Sequence, residues 1–171
     1  PVHFSVDTSV IPVAETPLQG MKPQPLPRFT AVKEANHIVL NKGKPSGNKD
    51  GGESIADAEP IAGLPFLDDG NTAGNTDDFD ESCPFNAPGS PDVVYSWVPD
   101  FSGGARIDLC GSSYDTKVYV YMNGHTPGSP FACNDDECTT PAGQSWVSEL
   151  LVLSLTEGNT YYIVIDGYGS Q

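Results

Sequence analysis

The chain has 171 residues, a hydrophobic share of 37% and a formal net charge of −15, which allows one domain with a core plus an extension. That charge disfavours nucleic acid and anionic membranes, whose phosphates it repels. The 18 glycines and 16 prolines favour turns over helices, and the longest apolar run, SELLVLSL, is far too short to span a bilayer.

Residues 1–13 (PVHFSVDTSVIPV) alternate. Val2, Phe4, Val6 and Val10 share one face; His3, Ser5, Asp7 and Ser9 share the other. This is the pattern of a strand with one apolar side, and prolines at 1 and 12 suit its ends. The opening Pro1, in place of Met, reads as a processed product or a fragment. Residues 14–51 read as a Pro-, Gly- and Lys-rich linker arm, polyproline-like where prolines recur at 17, 23, 25 and 27. Within it, 29–40 (FTAVKEANHIVL) reads as one or two short strands. The charge divides here: residues 1–50 carry six basic and four acidic side chains, net +2, and residues 51–171 carry two and nineteen, net −17. A cationic arm resting on an acidic body would show this asymmetry, and so would a solvated linker beside an acidic domain.

From residue 52 the pattern becomes short strands between Gly, Asn and Pro turns. Strands are expected near 93–98, 105–110, 117–122, 146–155 and 160–165, a shorter one near 130–133 and others around 54–66. Spacings of roughly ten residues predict an all-β chain built as an antiparallel, jelly-roll-like β-sandwich.

The four cysteines, Cys83, Cys110, Cys133 and Cys138, allow three pairings. No C-x-x-C spacing and only three scattered histidines argue against structural zinc. An even count in an acidic, Gly-rich β chain fits an oxidising compartment. The short loop CNDDEC favours Cys133–Cys138, leaving Cys83–Cys110. No N-x-Ser/Thr sequon is present.

The acidic loops are the main ligand signal. DDGNTAGNTDDFDES, SSYDTK and CNDDEC are rich in the carboxylates and carbonyls that calcium, with six to eight oxygen ligands, requires. Asp77, Asp78, Asp115, Asp135 and Asp136 are the ligands expected; a solvated acidic surface is the alternative. No catalytic residues are expected. His125 lies in a turn, His3 and His37 lie in the arm, and no serine has nucleophile-elbow spacing. Trp97, Trp146, Tyr119, Tyr121 and Tyr168 could stack on sugars if exposed, although tryptophans in so small a sandwich are more often core.

DVVYSWVPDFSGGARIDLCGSSYDTKVYVY, then FACNDDEC, then LTEGNTYYIVIDGYG resemble the bacterial pre-peptidase C-terminal domain, and ESIADAEPIAGLPFLDDGNTAGNTDDFDESC resembles that family's opening. The resemblance spans about residues 52–171. It implies a secreted, non-catalytic β-sandwich that aids secretion, adhesion or substrate contact, with calcium bound in some members. Such domains continue past the DGYG turn with a final strand, which this sequence lacks. The sandwich is therefore expected to lack its last strand, since an unaccompanied edge leaves backbone groups unpaired. Residues 2–11, from the same molecule or a neighbour, are expected to complete it. The function expected is a subunit of an extracellular, cell-surface filament, copies of the chain joined by strand donation. The alternative is a monomeric calcium- or carbohydrate-binding accessory module.

Overall fold

The computed structural model describes residues 37–42, 51–82, 84–86 and 88–169. The first expected strand, with Val2, Phe4, Val6 and Val10, lies outside the described residues.

Among the described residues, nine strands form two sheets. In chain order they are β1 (His37–Lys42), β2 (Glu59–Ile61), β3 (Phe66–Gly70), β4 (Val93–Trp97), β5 (Gly103–Asp108), β6 (Thr116–Met122), β7 (Ala132–Asp135), β8 (Glu149–Leu155) and β9 (Tyr161–Gly167). The helical content of the described residues is one 3-10 turn at Ile55–Asp57, capped by Ser54 and Asp57. One sheet has the order β3-β1-β5-β8 and the other β2-β4-β9-β6-β7. Alternation sends Ile38, Leu40, Ile107, Val118, Val120, Val152, Ile163 and Ile165 into one core between the sheets.

Three expectations change. The sheets are mixed, not antiparallel: β1 runs parallel to both β3 and β5, and β2 parallel to β4. Crossover connections, rather than hairpins, deliver these strands. The last strand has no vacant edge, because β9 pairs with β4 on one side and β6 on the other. Chain order is not strand order, so the final strand sits at the centre of its sheet. The sandwich also reaches upstream of residue 52, since β1 comes from the segment expected to be linker and sits between β3 and β5.

The five-stranded sheet is covered on both faces. Tyr119, Tyr121, Val94 and Val164 point away from the sandwich core and pack under Phe79, with Cys133 beside them. The long connection from β3 to β4 thus acts as a strap across the sheet's outer side. The outer face of the four-stranded sheet is more open, with Leu67, Leu151 and Leu153 exposed.

Candidate metal centre

Three of the five expected ligands come together. Asp115 immediately precedes β6 and Asp135 closes β7; these strands are antiparallel with Lys117 opposite Asp135, so both aspartates meet at one end of the sheet. Asp136 follows in the left-handed conformation, φ 58°, which aspartate tolerates better than most residues. One carboxylate oxygen from each lies within 4.8 Å of the others.

The electrostatics are unfavourable for three bare carboxylates. Burial pushes the Asp135 carboxyl up to about 6, with further contributions from Asp136 and Asp115. Asp115 is raised by burial and then by Asp136, while Lys117 lowers it. Lys117 itself is buried, its ammonium donating to the Glu81 carbonyl at 2.9 Å and to the Phe85 carbonyl. Asp135 Oδ1 is shielded from solvent and accepts no hydrogen bond. A hard cation would neutralise the cluster and supply that oxygen with a partner. The group could hold a metal ion.

Asp77 and Asp78 are elsewhere, on the strap. Burial raises Asp77, as do Asp80 and Asp78. Asp78 Oδ2 accepts from Thr76 Oγ1 at 2.6 Å. A further triple, Asp108, Cys110 and Glu149, has ligand-like spacing. It is a poor metal site, because Cys110 is in a disulfide and Arg106 bridges Asp108 and Glu149.

The disulfide corrects the expected pairing: Cys110 joins Cys138, with Cα atoms 5.7 Å apart. Cys138 bridges to Val147 just before β8, and Cys110 lies just past β5, β8's partner. Sheet pairing therefore brings these two together. Cys133 faces the other way, toward Phe79 and Tyr119 under the strap. It too is disulfide-bonded, and Cys83 lies outside the described residues. The bond ties down the loop that carries Asp135 and Asp136.

Sequence reasoning missed a buried acidic pair. Asp92 and Asp166 lie under the strap at 1% and 0% exposure. Asp92 Oδ2 accepts from the Asp78 and Phe79 amides at 2.7 and 2.9 Å, anchoring the strap. Asp166 Oδ2 accepts from Tyr119 at 2.7 Å. Nearby, the Glu81 carboxylate accepts from Tyr121 at 2.6 Å and from the Gly128 amide. Burial raises both carboxyls, and for Asp92 the neighbouring Asp166 adds to it. The available signal was an aspartate abutting each of two apolar strands, DVVYSW and YYIVID, but alternation does not reveal that both are covered.

A sugar-stacking face is not assembled from the aromatics considered for it. Trp97, Tyr119 and Tyr121 are buried, Trp146 is half-buried and Tyr168 alone of the five is exposed. No helix among the described residues is long and apolar enough to cross a membrane. The disulfide fits an oxidising, extracellular setting. No family model matches the chain, and no curated protein and no solved structure matches it.

Proposed function

We propose that the protein is a non-catalytic structural subunit of an extracellular bacterial filament, a secreted sandwich of the pre-peptidase C-terminal type. Copies join head to tail when a strand from the arm of one completes a sheet of the next. One observation carries this reading: a strand from the N-terminal side of the sandwich is built into the middle of a sheet, between two strands that do not otherwise pair. Strand addition of that kind joins molecules through main-chain bonds and side-chain pockets. A contact in which each copy gives one strand and receives one is heterologous, so it extends into a filament unless its rotation closes a ring. Calcium at Asp115, Asp135 and Asp136 stiffens the loop end of each subunit.

Negative-stain electron microscopy of the purified chain tests the reading. Fibres support it, and compact single particles overturn it. A chain lacking residues 1–13, viewed beside the first, reports on Val2, Phe4, Val6 and Val10. Loss of fibres would assign the contact to that segment, and retention would place it elsewhere.

A further inference from the structure

We propose that the strand exchanged between copies is β1, His37–Lys42, and that the slot receiving it is the gap between β3 and β5 of a neighbour. This rests on the filament reading and names its contact. In the structure β1 fills the gap of its own chain. Four features make the same strand transferable.

The slot cannot stand empty. Without β1 the sheet separates into β3 alone and the pair β5-β8, because β1 is the neighbour of both β3 and β5. The core would also lose Ile38 and Leu40, both fully buried. Every copy must therefore receive a β1, from itself or from another.

The strand is self-contained. Its ladder runs from Ile38 opposite Phe66 to Lys42 opposite Gly70 on one side, and from His37 opposite Arg106 to Val39 opposite Asp108 on the other. Both pairings are parallel, so no hairpin ties β1 to either neighbour, and the next strand in the chain, β2, belongs to the other sheet. A copy's β1 would make the same bonds in the same register.

The body begins after the strand at a fixed point. Gly52 and Val94 exchange both backbone hydrogen bonds at 2.9 Å. A Cβ on Gly52 would meet backbone atoms of Asp57 at 2.3 Å, and one on Gly51, at φ +73°, would meet Val93 Cβ at 2.8 Å. The chain is thus held at Gly51–Gly52 by a close approach that admits no side chain. Between that point and β1 lie residues 43–50, GKPSGNKD, which carry no large apolar side chain. Nine steps from residue 42 to residue 51 reach up to about 30 Å when extended. Swapping an element across such a connection replaces its contacts with identical ones.

One end of the strand carries a polar contact. β1 ends at Lys42, and at its start His37 Nε2 lies 3.2 Å from Asp108 Oδ2 on β5. That contact marks which end of the strand lies beside Asp108 and so favours one direction of entry.

Paired cysteines distinguish the origins of the strand. Val39 and Leu67 are direct neighbours on the outer face of the sheet. Adjacent strands lie about 4.8 Å apart, within the span a disulfide bridges. The double variant Val39→Cys/Leu67→Cys is oxidised after assembly and run on a non-reducing gel, with the same sample imaged. In parallel, a Val39→Cys chain and a Leu67→Cys chain are refolded together, each alone serving as its control. The expected result is a ladder of covalent multimers from the double variant and a two-chain band that needs both single variants. Fibres with cross-links confined to single chains would overturn β1 as the donor and leave the filament reading standing. Single particles with cross-links confined to single chains would overturn both.

Discussion

Cys110 and Cys138 are joined across 28 residues of sequence, from the end of β5 to the bridge beside Val147. The bond closes a loop that contains β6, β7 and all three aspartates of the candidate metal centre. On the chain-entropy account a loop of this length is worth roughly 3–4 kcal/mol. The Cys110→Ser/Cys138→Ser variant, which leaves Cys133 in its own disulfide, is expected to lose about that much in urea unfolding. An unchanged midpoint would show that the β5–β8 pairing alone holds the loop.

Asp92 and Asp166 make stability depend on pH in an unusual direction. Each carboxyl holds its proton more tightly in the folded protein than in the unfolded chain, because burial disfavours the charge. The stability this contributes is complete below the ordinary carboxylate range. It is lost as pH rises through about 7 for Asp166 and about 9 for Asp92. Unfolding free energy should fall between pH 6 and pH 9 by several kcal/mol, at up to about 1.4 kcal/mol per pH unit for each proton retained only in the folded state. Asp92→Asn cannot ionise and keeps an acceptor for the Asp78 and Phe79 amides, so it should flatten that slope. An Asp92→Asn protein with the original slope would place the titration elsewhere.

Asp135 is the most informative ligand to change, since its Oδ1 lacks a partner in the protein. Calorimetric titration with calcium chloride at pH 7.5 should show one saturable site. Affinity should decline as pH falls through about 6, where Asp135 takes up its proton. Asp135→Asn should weaken binding on the order of tenfold or more by removing one of three ligand charges. Saturating calcium should raise the melting temperature by mass action, with about 2.7 kcal/mol expected at a hundredfold excess over Kd. Equal binding by Asp135→Asn would remove the site from this cluster.

Ile38 tests how much the inserted strand contributes to its sheet. It is fully buried and faces the core beside Phe66 and Ile107. Ile38→Ala should cost about 2–5 kcal/mol, the range for truncating a buried aliphatic side chain. Val39→Ala, on the outer side of the same strand, should cost much less. Equal losses at the two positions would mean that β1 does not keep its alternation in solution.

The amino-acid sequence by itself determined the class of fold, because the information for it is local. Val118 and Val120 alternate with Tyr119 and Tyr121, turn residues separate the runs, and the two-residue period admits little but strands. It likewise singled out Asp115, Asp135 and Asp136 as oxygen donors in acidic stretches, although Asp135 is the last residue of β7 and not in a loop. The tertiary structure alone decided which strands are neighbours. Alternation is indifferent to the partner, so nothing in TYYIVI says that β9 lies between β4 and β6, and nothing in HIVLNK says that it enters between β3 and β5. The rest follows from that pairing. The β5–β8 neighbourhood selects Cys138 for Cys110 although Cys133 is closer in sequence, and β6–β7 pairing gathers three aspartates but leaves Asp77 and Asp78 behind. The strap across the second face turns Asp92 and Asp166 from surface charges into buried acids, because burial depends on what covers a residue and not on its own side chain.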